Sequence, residues 1–242
     1  MRSACAFFSC WSSCMGVFHE AARELASLCI PSSCAGCGAW DQTLCDQCFG
    51  LSRSFVPTWE VIDSGWAEYP LWSLSEYSGS MRSIILAAKH SGRVDLSPFL
   101  FECGKSIGDA LGKSGMLAVG EPHTCLWIVP APSSWKRRFF GHPITSHIAR
   151  GVAQGIRLSA PVPVVVRDIC RLDPWVSSQA GKSSEKRREA RRGHMYVSMP
   201  IPQDVGLVAV DDVVATGGTM SELFRVCVKN WVAGACIARA RR

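Results

Sequence analysis

The stretch from Gly206 to Thr219 most constrains how this chain can fold. An apolar run without alternation, Gly206-Leu-Val-Ala-Val210, ends in two adjacent acids, Asp211 and Asp212. After Val213, Val214 and Ala215 comes Thr216-Gly217-Gly218-Thr219, and from Thr219 to Trp231 the apolar residues repeat at helical spacing. A continuous apolar strand must be covered on both faces, which is the condition of a parallel sheet with crossover helices. The rest of the chain supplies the partners. Leu71 to Tyr77, Cys125 to Val129, Val162 to Arg167, Val205 to Val210 and Cys236 to Ala240 read as strands. Ser80 to His90, Ser97 to Leu111 and Ile144 to Ile156 read as helices between them. Pro57 to Pro70 has no sustained period and reads as a connector, with a boundary near Thr58. No repeat of fixed period is visible.

Open α/β sheets bind ligands at the carboxyl ends of their strands, where the reading places Asp211 and Asp212. The residues from Ala215 to Thr219 suit an anion: glycines let backbone N–H groups turn inward, threonine hydroxyls add donors, and a helix N-terminus supplies a positive dipole end. Two carboxylates before such a cradle would repel an anion unless they accept hydrogen bonds from neighbouring hydroxyls. A ribose 5-phosphate has that layout. The alternative is a surface turn with a glycine-rich helix cap. P-loop chemistry is excluded: Gly-Lys-Ser occurs at 104–106, 112–114 and 181–183, but the required earlier glycine is replaced by Phe99, Ile107 and Val176.

A second motif stands near the start. Cys34-Ala-Gly-Cys37 and Cys45-Asp-Gln-Cys48 form two CxxC knuckles seven residues apart, with Gly36 and Gly38 relaxing the first. Four thiolates at that spacing can reach one tetrahedral Zn²⁺ and close a structural site. A redox dithiol needs only one CxxC, and a zinc deaminase needs an H-x-E that is absent. Cys29 is not counted as a ligand. An amphipathic helix over residues 18–30 leads into this cluster.

The residues from Leu207 to Thr219 look like the signature of type I phosphoribosyltransferases. Joined to a front module of four cysteines, the chain resembles the ComF family of competence-related proteins over most of residues 25–240. Lys89 in Ala-Lys-His-Ser-Gly, Val129-Pro-Ala-Pro132, and Gln179-Ala-Gly with Arg187 match further family positions. The chain has Arg138-Phe-Phe-Gly141 where the family usually has Arg-Gly-Phe-Asn, and Ala190 where it has Asn. The resemblance implies a type I phosphoribosyltransferase-like α/β domain over residues 58–242 behind a zinc-ribbon-like module in residues 1–57. It implies binding of phosphoribosyl pyrophosphate with Mg²⁺, with Asp211 and Asp212 on the ribose hydroxyls and Ala215, Thr216, Gly217, Gly218 and Thr219 on the 5-phosphate. Lys89 and Arg187, or Lys186, would stabilise departing pyrophosphate. The acceptor stays open, because acceptor pockets in this fold come from variable loops.

Charge supplies a second functional class. The net charge of +6 concentrates at Lys136 to Arg138, Lys182 to Arg192 and Arg239 to Arg242. Trp135, Phe139 and Phe140 interleave the first cluster, so stacked bases and paired phosphates would suit single-stranded DNA or a DNA-uptake partner, without catalysis. The bland alternatives are core packing for the two Phe and a solvated face for Lys182 to Arg192. No apolar run reaches the roughly 18 residues a membrane-spanning helix needs. Residues 4–17 read as a modest N-terminal extension without a cleavage pattern. Thirteen cysteines, an odd count in a chain long enough to fold on its core, fit a reducing cytoplasm better than a disulfide scaffold.

Overall fold

The structure, a computed structural model, describes residues 33–63, 68–90, 94–118, 123–132, 144–173 and 193–240. The helix expected over residues 18–30, the segment 133–143 with its aromatic and basic residues, and the segment 174–192 with Arg187 lie outside the described residues.

The protein is a mixed α/β structure. Its elements run α1 (Asp46–Ser54), β1 (Thr58–Asp63), β2 (Glu68–Glu76), α2 (Gly79–His90), α3 (Ser97–Lys113), β3 (Cys125–Pro130), α4 (Ile144–Ser159), β4 (Val164–Val166), β5 (Cys170–Leu172), β6 (Met195–Val197), β7 (Val205–Val214), α5 (Gly218–Cys227) and β8 (Trp231–Arg239). Six strands form one sheet in the order β1-β2-β8-β7-β3-β4. All neighbours in it are parallel except β1, which is antiparallel to β2. β5 and β6 make a separate antiparallel pair.

The inner strands are apolar because helices cover both faces. One core gathers α2, α3 and α4 over β2, β3, β7 and β8, with Ile84, Ile107, Ile148, Val208 and Val210 fully buried. The other packs α5 and the β5–β6 pair on the opposite face, around Leu207, Ala209, Met220 and Leu223. Burial of this kind is the main stabilising term, roughly 25 cal/mol per Å² of apolar surface removed from water.

Helices α3 and α4 meet backbone to backbone. A side chain added at Gly104 or Gly108 would strike the Ile148 or Val152 carbonyl of α4, and one added at Gly151 or Gly155 would strike the Phe101 or Lys105 carbonyl of α3. Both helices carry glycines four residues apart, which brings them to one face.

Three boundaries differ from the sequence reading. The connector read over Pro57 to Pro70 holds β1 and the start of β2; β1 is an edge strand that buries only Ile62, so it needs no strong period. β7 continues past the acids to Val214, because Asp211, Val213 and Val214 pair with Cys236, Ala238 and Arg239 of β8. The last helix stops at Cys227, and Trp231 opens β8. There the buried Asn230 amide donates to the Pro202 and Val205 carbonyls, at 2.8 Å each, and fixes the turn. The β5–β6 pair has no counterpart in the sequence reading.

The cysteine segment is not separate from this body. Phe49 of α1 meets Phe99 of α3 edge-on, with ring centroids 6.3 Å apart, and Ser106 Oγ donates to the Ser52 carbonyl at 2.8 Å. Cys34 and Cys48 belong to the same apolar core as α2 and α3.

Candidate functional site

The turn after β7 lies at the carboxyl edge of the parallel strands, as the sequence places it. Ala215 and Thr216 are exposed, and Gly217, at φ 75°, caps α5 in the left-handed region. A side chain there would carry roughly 1–2 kcal/mol of strain. Beneath it the Tyr69 hydroxyl and Ser221 Oγ share a buried hydrogen bond of 3.0 Å, and the Ser221 amide donates to the Gly217 carbonyl. Arg239 of β8 holds the approach: its Nη1 donates to the Val214 and Ala215 carbonyls, 2.9 Å each, while its Nε bonds Glu60 at 3.0 Å. Sequence reasoning counted Arg239 only within a basic cluster. Its role follows from the register that sets Val214 beside it, which no local pattern reveals.

The two acids take different surroundings. Val208 and Val210 belong to the core under α2–α4, and Leu207 and Ala209 to the core under α5. Alternation along β7 therefore directs Asp212 toward α2 and Asp211 toward α5. Asp212 is buried, 6% exposed, and accepts a 2.7 Å bond from Lys89 Nζ. Asp211 Oδ1 accepts the Asp212 amide at 2.8 Å. Two residues singled out from sequence, 123 positions apart, thus form one ion pair. Of the remaining sequence-predicted residues, Thr219 sits in the first turn of α5 and Arg187 lies outside the described residues.

A cavity of about 550 Å³ opens at the same end of the sheet, lined by α1, β2, the start of α2 and Arg239. Ser73, Ser75 and Ser78 give it hydroxyls; Leu51, Leu74 and Met81 give it apolar walls. On the opposite face of the sheet, buried Glu222 of α5 binds Arg225 at 2.9 Å and accepts the Gly193 amide at 2.9 Å. The Arg225 guanidinium also donates to the Met195 carbonyl, and the Asp173 amide to the His194 carbonyl. Both described ends of segment 174–192 are therefore bound close to α5, the helix that begins at the turn.

The four cysteines converge as the spacing predicts. Their sulfurs all lie within 4.8 Å of one another. Cys34 Sγ and Cys37 Sγ each stand 3.7 Å from Cys45 Sγ. Four ligands about 2.3 Å from a tetrahedral Zn²⁺ would be separated by about 3.8 Å, so the donors present fit a zinc ion. The Cys45 amide points at Cys34 Sγ from 3.4 Å. Burial pushes the Cys34 thiol up, but backbone N–H groups of Cys37, Cys45 and Gly36 outweigh it and bring it down to about 6. Burial and the neighbouring sulfurs drive the Cys48 thiol the other way, upward. Four close sulfurs cannot all carry charge without a cation, so this cluster could hold a metal such as zinc, bound by Cys34, Cys37, Cys45 and Cys48.

No protein-family model matches the chain, and no curated protein matches it. Among the described residues no helix is long and apolar enough to cross a membrane.

Proposed function

We propose that the protein is a phosphoribosyltransferase-like protein of the ComF type, which binds phosphoribosyl pyrophosphate or another ribose 5-phosphate at the turn after β7. One observation carries the reading: a left-handed glycine cap joins the carboxyl end of an inner parallel strand to a helix N-terminus, with threonines on either side. Such a turn offers backbone N–H groups and a dipole end to a phosphate dianion. Thr216 and Thr219 add hydroxyls. Asp211 meets the ribose hydroxyls, and Asp212 joins it when a ligand draws Lys89 outward, leaving Lys89 available to pyrophosphate. Mg²⁺ would arrive with the pyrophosphate. The hydroxyl-bearing cavity beside Arg239 gives an acceptor a place at the same sheet edge. The zinc ion would brace the α1 segment that forms one cavity wall.

A second reading is a binding protein without transfer, and the Lys89–Asp212 pair favours it, because that pair occupies a cation and a carboxylate that transfer would use. Such a protein would serve DNA uptake by binding single-stranded DNA or a partner. Calorimetry with phosphoribosyl pyrophosphate and Mg²⁺, followed by an assay of pyrophosphate release over a panel of bases, separates the two. Binding that weakens about tenfold in Asp211→Asn, the loss of roughly one charge-assisted hydrogen bond, supports the shared site. Binding with release supports transfer. Absence of any heat with phosphoribosyl pyrophosphate or ribose 5-phosphate refutes the ligand assignment.

A further inference from the structure

The four sulfurs of the metal cluster do not share one environment. Cys34 and Cys48 are each 4% exposed and belong to the main apolar core, Cys45 is half-buried and Cys37 is exposed. The inner side is closed: a side chain added at Gly36 would strike Cys48 Sγ, and the Cys45 amide points at Cys34 Sγ from 3.4 Å. The outer side is open, because every residue from 37 to 43 is exposed. Cys37 Sγ stands on that side, with Cys45 Sγ 3.7 Å away.

A thiolate held by zinc keeps its charge and its lone pairs, so exposure decides which of the four an oxidant meets first. An N–H bond that stabilises a thiolate also lowers its nucleophilicity, so Cys34 is held back by its amide donor as well as by burial. Cys37 is the open member, and Cys45 is the sulfur placed to answer it. The same pair touches the rest of the fold through α1. That helix carries two of the four ligands, Cys45 as N-cap and Cys48 in its first turn, and the N-cap makes no side-chain cap bond. A metal therefore supplies the tether at that end, while Leu51 further along the helix walls the cavity of about 550 Å³.

We propose that Cys37 is an oxidative modification site, which hydrogen peroxide converts to a disulfide with Cys45, releasing the metal and untying the start of α1. The Cys37 thiolate attacks one peroxide oxygen and the O–O bond breaks; the departing hydroxide takes a proton and becomes water, leaving Cys37 as its sulfenic acid. The Cys45 thiolate attacks that sulfur, forms the S–S bond and expels a second hydroxide, which a second proton converts to water. Two thiolates lose two electrons, and one peroxide accepts them. Cys34 and Cys48 are then half of a tetrahedral set, and they take up protons as the metal leaves. The Phe49–Phe99 and Ser52–Ser106 contacts keep the rest of α1 docked, so the change is confined to its first turn. The proposal rests on the reading of this cluster as a zinc site, which its test checks first.

The experiment uses the full chain, with its zinc content measured at the start. Protease cleavage before Asp41 and before Asp46 places Cys45 on the fragment 41–45, apart from Cys37 and from Cys48. As hydrogen peroxide is added, a chromogenic chelator should register one zinc released per chain. Mapping after alkylation in denaturant should show fragment 41–45 joined to Cys37, with Cys34 and Cys48 alkylated, and dithiothreitol with zinc should reverse both changes. Iodoacetamide applied to the native, zinc-loaded chain should label Cys37 before the other three. Hydrogen exchange in the first turn of α1 should quicken in the oxidised protein. Zinc retained at doses that oxidise other cysteines would overturn the proposal, as would a first disulfide or a first label at Cys34 or Cys48. Unchanged exchange in α1 would overturn the untying of the helix. A chain that neither carries zinc nor takes it up would remove the metal assignment, and the proposal with it.

Discussion

Lys89 Nζ lies 2.7 Å from Asp212 Oδ1, so the end of α2 is fastened to the strand that carries the turn. The side chains are only 19% and 8% exposed, which makes this pair unlike a surface salt bridge. A buried pair contributes little net stability against an apolar substitute, but losing one partner strands the other.

Lys89→Ala should therefore lower unfolding free energy by about 3–5 kcal/mol, the cost of a buried charge left alone. Lys89→Met combined with Asp212→Leu should recover most of that loss. Urea denaturation of the single and double variants checks both statements, and equal stability of Lys89→Ala and wild type would show the pair to be solvated. The double variant also tests the site, because phosphate binding that survives in a folded Lys89→Met/Asp212→Leu protein must rest on the turn.

The cysteine cluster predicts one zinc per chain. Cys48→Ser should abolish stoichiometric metal by elemental analysis, and because Cys34 and Cys48 sit in the main apolar core, it should also lower the melting temperature. Structural zinc supplies about 10–16 kcal/mol to small modules that have no other core. Here the α1–α3 contact shares the load, so a strong chelator should loosen the front segment before it unfolds the sheet. Hydrogen exchange resolves that order.

Glycines in three helices should respond to alanine with opposite signs. Ordinarily the exchange favours a helix by about 0.5–1 kcal/mol. Gly50 of α1 has open space about it and should show that gain. At Gly104 or Gly151 the added carbon meets a backbone carbonyl that cannot rotate away, and overpacking of this kind costs about 1–3 kcal/mol or more. Thermal unfolding of the three single variants gives the comparison, and a stabilised Gly104→Ala would contradict the close approach of α3 and α4.

Tyr69 should titrate late. Burial pushes its phenol above the ordinary value near 10, against smaller lowering effects of Ser221 and Arg239. A raised folded value means that the stabilisation is fully present below pH 10 and is lost as pH climbs through the higher one. Tyr69→Phe, missing the Ser221 hydrogen bond, should be about 1 kcal/mol less stable at neutral pH, and the gap should close in strong alkali. Phenolate absorbance confirms the origin: of the three tyrosines, the part missing in Tyr69→Phe must be the part that appears last or only on unfolding.

Long apolar stretches and spaced cysteines were legible from the chain alone, because each is a local record of its surroundings. β3, α2, α3 and α4 fall within a few residues of their expected limits, and Cys34, Cys37, Cys45 and Cys48 converge as their spacing requires. What escaped depends on distant partners. β1 is a strand because β2 lies beside it, and β7 runs on through two acids because β8 pairs with Asp211, Val213 and Val214 and Lys89 compensates Asp212. Arg239 gains its place at the turn only when the ninth residue of β8 comes into register with Val214.

The strand order has a temporal side. β8 leaves the ribosome after the other strands of its sheet, yet it stands between β2 and β7 and joins β1-β2 to β7-β3-β4. Until it arrives the nascent chain holds two half-sheets, each with a bare inner border open to wrong pairing. The glycine turn also waits for Arg239. Folding of this sheet must keep a slot vacant for β8, and a chain stopped short of Trp231 has nothing with which to fill it.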